Sequence, residues 1–210
     1  MIPRIIHRVW LGGKPMPAFF SQCGESWTCC HPEWTMRTWT EKEVAGLQNS
    51  DLLSRCSSLA QQSDIARYEI LMREGGVYVD TDIECLKNID PLIEGLDFFG
   101  CWQKDGVLSN AVMGGVPGHP VFEDLFRESR SFFKADPWNA MGPPFLTEIV
   151  KRYPDARIFE RKTFIPFTWQ EYYAFYPDWP ARNPAVPVES YAINHRSSIW
   201  YPDSKKRRIT

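Results

Sequence analysis

The segment from Ser57 to Cys85 constrains the fold more than any other part of the chain. Leu59, Ile65, Tyr68, Ile70, Leu71 and Met72 recur at spacings compatible with a helix, and nothing breaks the pattern before Gly75-Gly76. Glycine adopts the left-handed conformation that closes many helices, so a left-handed C-cap is expected there. Val77-Tyr78-Val79 follows, apolar and β-prone, and then Asp80-Thr81-Asp82. Helix, glycine stop, buried strand and carboxylates, in that order, predict an α/β sheet with acids at the C-terminal end of a strand, the edge where open α/β sheets bind ligands. Side chains alternate along a strand, so Asp80 and Asp82 project to one face. Two anions that close repel unless a cation lies between them, and hard oxygen ligands suit Mg2+ or Mn2+ bridged to a substrate's phosphates. A bare D-x-D is also what a solvated turn looks like. Here the apolar strand and the helix ahead of it favour the ligand-binding reading.

Two other uses of this spacing fail on particular residues. An EF-hand loop would need glycine where Cys85 stands and Glu where Pro91 stands. A haloacid-dehalogenase-type phosphatase would carry Thr or Val at the fifth position, which is Glu84, and would place the motif on its first strand.

Around this segment the chain reads as one domain, residues 1–210, in two halves, 1–115 and 116–210. Ile5 to Leu11, ended by Gly12-Gly13, predicts a first buried strand, Pro17 to Cys30 a helix, and Trp34 to Thr40 a second strand. Asp97 to Gln103 and Leu108 to Gly114 read as strands, Pro120 to Lys134 and Pro144 to Arg152 as helices, and Tyr191 to Ile193 as a last short strand. Of the 17 prolines, 12 lie at or after Pro117, which predicts shorter elements there. Trp138, Trp169, Tyr172, Tyr173, Tyr176 and Trp179 in that half offer either stacking surfaces for sugar rings or a minor core.

A formal net charge of -2 leaves no footprint for nucleic acid, which needs Lys and Arg gathered in excess. The one basic run, Lys205, Lys206, Arg207 and Arg208, is either solvated or a peripheral contact with an anionic membrane face. The start has Pro3, Arg4, His7 and Arg8 where a signal peptide would be apolar, so a cytoplasmic location is expected. Cys23, Cys29, Cys30, Cys56, Cys85 and Cys101 form no C-x-x-C pair, so buried free thiols are expected rather than a zinc or redox site. His7 and His119 read as structural and His31 as exposed.

Asp64 and Arg67, three apart on the predicted helix, share a face. They form a surface ion pair, or else the returning strand brings them to the carboxylates, where an acid and a fixed cation can hold sugar hydroxyls. Three unlinked blocks then carry a resemblance: Ile2 to Gly13 (IPRIIHRVWLGG), Ser63 to Tyr68 (SDIARY) and Glu74 to Asp82 (EGGVYVDTD), joined by a late Tyr191 to Trp200 block (YAINHRSSIW). In this order they resemble the D-x-D sugar-binding glycosyltransferases, the capsular polysaccharide and mannosyltransferase-like glycosyltransferase family 32, whose donor core is similar to that of the clostridial glucosylating toxins.

The resemblance implies a GT-A type fold, a Rossmann-like mixed sheet flanked by helices, with a nucleotide-sugar-binding half over 1–115 and an acceptor-side half with a C-terminal closing segment over 116–210. It implies that Trp10 stacks on the nucleobase, that Asp64 and Arg67 bind the donor sugar and diphosphate, and that Tyr78 packs beside them. It implies that Asp80 and Asp82 hold Mn2+ or Mg2+ with His195 as third ligand, that Asn110 faces the transferred sugar, and that Ser198 and Trp200 cover the diphosphate. Glu84 shares the face of the two aspartates but lies outside the family pattern and receives no role.

The expected reaction is transfer of a hexose from a nucleotide sugar, UDP-hexose ahead of GDP-mannose, to a saccharide or lipid-linked saccharide, as in polysaccharide biosynthesis. Retention of anomeric configuration is implied by the resemblance. With no carboxylate nucleophile at a diagnostic spacing, front-face transfer is the expected route. A nucleotide-sugar-binding regulator without turnover and an effector that glycosylates a protein are the competing readings.

Overall fold

The computed structural model describes residues 1–133, 141–168, 170–172 and 186–195. The first apolar run forms β1 (Ile5–Val9), which pairs in parallel with β2 (Thr35–Trp39) and with β3 (Gly76–Val79). The short strand β4 (Ile83–Cys85) leaves this sheet, and β5 (Phe98–Lys104) and β6 (Val107–Gly115) return to it as an antiparallel hairpin. With β7 (Arg157–Phe159) at the edge the order is β2-β1-β3-β6-β5-β7, and β6 is antiparallel to β3. β8 (Ala192–Asn194) pairs with β4 as a separate two-stranded sheet.

Alternation along the strands divides the core in two. Tyr78, Met113 and Phe98 face one layer, packed by α4 (Leu59–Glu74), α6 (Pro120–Ser131) and α7 (Pro143–Val150). Val77, Val79, Val112 and Phe99 face the other, which holds Trp27 of α1 (Ala18–Cys30), β4 and Phe164 of α8 (Arg161–Phe164). Both faces of the central strands are covered, which is why β3 is apolar throughout rather than alternating. This is the mixed α/β sheet flanked by helices that the sequence predicts.

The departures are local. β1 ends at Val9 rather than Leu11, and α6 ends at Ser131 rather than Lys134. Sequence reading missed the short elements α2 (Glu41–Val44), α3 (Ser50–Leu53), α5 (Asp90–Ile93) and α8, and the three-residue strands β4 and β7. The left-handed cap expected at Gly75 takes a different form. Its N–H does close the helix on the Leu71 carbonyl at 2.9 Å, but φ 63° with ψ -153° turns the chain straight into β3. Only glycine tolerates that backbone region.

His31, expected to be exposed, is fully buried. It stacks on Trp27, donates from Nδ1 to the Trp27 carbonyl (3.0 Å) and accepts the Ile89 N–H at Nε2 (2.9 Å), so both ring nitrogens are used in the core. His119 accepts from Val121 N–H at the start of α6 and stacks on Phe98. Cys23, Cys85 and Cys101 are buried free thiols, and burial pushes the Cys101 thiol up to about 12.

His7 locks β1 to its neighbours: Nε2–H donates to the Gly75 carbonyl (3.0 Å) and Nδ1 accepts from Trp39 Nε1–H (3.1 Å). Burial, opposed by the Gly75 bond and aided by the charge of Arg37, lowers its pKa to about 4. A histidine depressed in the folded state binds its proton only after unfolding. Its stabilising share is therefore complete above the ordinary value of 6.5 and is lost as pH falls towards 4. The loss from this residue is about 3 kcal/mol at 1.36 kcal/mol per unit. Denaturation curves of wild type and His7→Gln between about pH 7.5 and about pH 4 are expected to converge by that amount. A constant gap between them would contradict it.

Candidate active site

Three elements converge at the C-terminal edge of β3. Its last residues bring Tyr78 and, just beyond the strand, Asp80, whose N–H donates to the Ala111 carbonyl of β6 (2.9 Å) and so sets Asn110 alongside. From the layer above, α4 contributes Ser63, Asp64 and Arg67, all buried. The helix starts one turn earlier at Ser58, whose hydroxyl accepts from Gln61 N–H, which places the three inward.

Arg67 is the hub. Its guanidinium donates to the Asn110 carbonyl (2.6 Å), the Ser63 carbonyl (3.2 Å) and the Ser63 hydroxyl (2.9 Å). It also pairs with Asp64 at 3.0 Å and Asp80 at 3.2 Å, and lies 4.4 Å above the centre of the Tyr78 ring. Asn110 Nδ2 donates to Asp64 (2.8 Å), and the Tyr78 hydroxyl donates to Asp80 (3.0 Å) while meeting Ser63 at 3.1 Å. Sequence reasoning named Asp64, Arg67, Tyr78, Asp80 and Asn110, and the structure brings all five together. It missed Ser63, one helical turn before Arg67, whose hydroxyl joins Arg67 to Tyr78.

One guanidinium faces two carboxylates. Burial raises Asp64 to about 7, against the pull of Arg67 and with the push of Asp80. Burial likewise raises Asp80 to about 6, opposed by Arg67 and reinforced by Asp82. Burial works against the charge on Arg67 too, yet Asp80, Tyr78 and Asp64 carry its pKa upward, so it stays cationic. The site thus has hard oxygen donors and negative charge in excess of its one buried cation, which fits a hard divalent ion.

After Asp80 the chain turns, with Ile83 N–H bonded to the Asp80 carbonyl (3.1 Å), and enters β4. Because Ile83 pairs with Asn194, the next residue of the late block stands opposite Asp82: His195 N–H donates to the Asp82 carbonyl at 3.0 Å. The His195 ring, however, meets Glu84 Oε2 at 2.8 Å through Nε2 and the Tyr172 hydroxyl at 3.1 Å through Nδ1. Among the described residues no three of His, Cys, Asp and Glu gather into a cation site, so Asp80, Asp82 and His195 do not form a ready-made cage. Two carboxylates completed by a substrate's phosphates is the pattern for Mg2+ and Mn2+. The strand alternation expected to align Asp80 with Asp82 does not hold, because β3 ends at Val79 and residues 81–82 form a turn; Glu84, which sequence reasoning left without a role, lies on β4 beyond that turn.

Trp10 leaves β1 at the same sheet edge. Its Nε1–H donates to the Lys14 carbonyl (2.8 Å) and its ring packs on Phe20, with centroids 5.3 Å apart. The Glu41 carboxylate accepts from the N–H groups of Gly12 (2.5 Å) and Gly13 (2.8 Å), fixing the loop that carries the tryptophan. Ser198, Trp200, Trp138, Trp169, Tyr173, Tyr176, Trp179 and the run from Lys205 to Arg208 lie outside the described residues. Tyr172 is buried against Phe167.

Residues 17–99 match the family described as glycosyltransferase sugar-binding region containing DXD motif. An uncharacterized glycosyltransferase, L373, of Acanthamoeba polyphaga mimivirus is 30% identical over 228 residues, spanning 100% of this chain and 88% of its own length. The chain belongs to the DXD glycosyltransferase family.

The chain is also similar to the mannosyl phosphorylinositol ceramide synthase SUR1 of Saccharomyces cerevisiae, 29% identical over 75% of this chain and 44% of that protein. Inositol phosphoceramide mannosyltransferase 2 of Schizosaccharomyces pombe is 27% identical over 96% of this chain and 59% of its own. The DXD-family chain described here spans about half the length of these yeast relatives. The PaToxG glycosyltransferase superposes with a TM-score of 0.59 at 16% identity, over 73% of this chain and 70% of that one, and shares the GT-A type fold.

Proposed function

We propose that this protein transfers a hexose from a nucleoside-diphosphate sugar to a glycolipid or other saccharide acceptor, with a divalent cation at Asp80 and Asp82. The observation that carries the proposal is the Arg67 network. A buried cation shared by Asp64 and Asp80 sits at the ligand-binding edge of the sheet, one turn from Asp82, with a tryptophan loop on the adjacent strand. Trp10 is the platform for the base. Asp64, held by Arg67 and Asn110, is aligned to accept hydrogen bonds from the sugar hydroxyls.

When bound, Mn2+ or Mg2+ would offset the charge that develops on the departing diphosphate. Arg67 adds a fixed positive charge nearby, and needs no reorganisation because five acceptors already hold it. Asp64 and Asp80 are both committed to Arg67, which leaves neither as a free nucleophile; with the retention that the family resemblance implies, this supports front-face transfer, and product stereochemistry by NMR tests it. The yeast relatives are named for mannosyl transfer to inositol phosphoceramide. Those names support mannose beside other hexoses as the transferred sugar, and a lipid-borne acceptor. Among the described residues no helix is long and apolar enough to cross a membrane.

Hydrolysis of a panel of UDP- and GDP-sugars with Mn2+, Mg2+ or EDTA tests the proposal and names the donor. Release of nucleotide from one donor is expected to need the metal and to fall at least about a hundredfold in Asp82→Ala. Donor binding without release, with or without an acceptor, would favour a nucleotide-sugar-binding regulator instead.

A further inference from the structure

Glu84 has no place in the donor network around Arg67, yet it makes a close side-chain contact across the small sheet. Its Oε2 lies 2.8 Å from His195 Nε2. A carboxylate accepts, so Nε2 carries the hydrogen and Nδ1 faces the Tyr172 hydroxyl at 3.1 Å. In this arrangement Nε2 donates and offers no lone pair, and Nδ1 is occupied by a tyrosine. The ring is further packed by Phe19 at 5.3 Å; Phe19 meets Phe20 at 5.2 Å, and Phe20 meets Trp10 at 5.3 Å. A continuous wall of rings therefore runs from the base platform to the residue opposite Asp82, and Glu84 grips its far end.

We infer that Glu84 is a positioning residue for the donor site, acting through His195. By accepting the Nε2 hydrogen it sets the tautomer and orientation of the imidazole, whose main-chain N–H in turn fixes the Asp82 carbonyl. The His195 side chain is thus a strut between Glu84, Tyr172 and Phe19, and metal binding belongs to the two aspartates. The inference rests on the reading of the site as one for a nucleotide sugar, but its first test does not.

Nitrogen NMR of the labelled imidazole reads the tautomer without any substrate. Wild type and Glu84→Gln are expected to show His195 protonated at Nε2, and Glu84→Ala a mixture of tautomers. Glu84 is partly exposed, with 39% of its side chain accessible, so neither substitution removes a core contact. Kinetics then read the role: Glu84→Ala is expected to raise the donor KM about tenfold with kcat nearly unchanged, and Glu84→Gln to recover most of it. Mn2+ affinity, measured by electron paramagnetic resonance on the protein alone, is expected to stay within about twofold of wild type in Glu84→Ala and in His195→Ala. A wild-type ring protonated at Nδ1, or a donor KM untouched in Glu84→Ala, would overturn the positioning role. A tenfold or greater loss of Mn2+ affinity in His195→Ala would make the imidazole a ligand and overturn the strut. Absence of turnover in wild type with the Nε2–H tautomer present would count against the transferase reading and leave the Glu84–His195 pair standing.

Discussion

Arg67→Met is expected to lose about 3 to 5 kcal/mol of stability and nearly all donor turnover, the cost of leaving buried carboxylates without their cation. Asp64 and Asp80 both depend on this guanidinium, and Ser63 and the Asn110 carbonyl lose a donor at the same time. The methionine fills a similar volume, so the loss reports charge and hydrogen bonding rather than a cavity. Arg67→Lys keeps the charge but cannot reach five acceptors from one ammonium, and an intermediate loss of stability with a near-complete loss of turnover is expected. Urea denaturation and nucleotide release on the same preparations measure both. Wild-type stability in Arg67→Met would show that the buried network contributes nothing net to folding.

A single methyl group at Gly76 is expected to be almost as damaging. A Cβ there would stand 2.6 Å from the Ile5 carbonyl and 3.1 Å from His7 Nε2, on a backbone with φ +89°. Neither neighbour can yield, because Ile5 lies in the parallel ladder and His7 is bonded on both ring nitrogens. Strain of this kind costs about 3 kcal/mol. Relief requires β3 to move away from β1, carrying Tyr78 and Asp80 with it, so turnover falls in Gly76→Ala beyond what the stability loss explains. Gly13→Ala is the control: φ is +64°, but nothing lies within 4 Å, and about 1 kcal/mol of backbone strain is expected. Equal losses in the two variants would remove the steric argument.

The parts of the site that are close in sequence were legible in it. Helical spacing from Leu59, the Gly75-Gly76 stop and the Val77-Tyr78-Val79 run predict α4, β3 and the position of the acids, and the spacing of Asp64 and Arg67 puts both on the face that α4 turns to the sheet. What local patterns cannot show is pairing over long separations. Glu84 and His195 are 111 positions apart, and β4 and β8 are three-residue strands with no periodicity of their own. Glu84 stands outside the resemblance, and the turn at residues 81–82 separates it from the strand that leads to Asp80, so strand alternation does not link the two. The start of α2 was legible and overlooked: Thr40 and Glu43 have the spacing of a capping box, and the Thr40 N–H donates to the Glu43 carboxylate at 2.9 Å. His31 had no such signal, since its burial follows from Trp27 and Ile89 meeting across the fold.

The pairing of β4 with β8 also fixes an order of events during synthesis. Everything that holds Arg67, Asp64 and Asp80 has left the ribosome once β6 is made, whereas β4, already bonded to Ser26 and Trp27 of α1, gains its strand partner only when Ala192–Asn194 emerges. Until then the backbone edge of β4 and the carbonyl of Asp82 lack their partners in the small sheet, in a chain whose main sheet can already close. A nascent or prematurely terminated chain therefore carries Asp64, Arg67 and Asp80 in place while the contact of His195 with the Asp82 carbonyl is unmade, and under the proposed function donor binding is expected to appear with β8 rather than to grow as the domain folds.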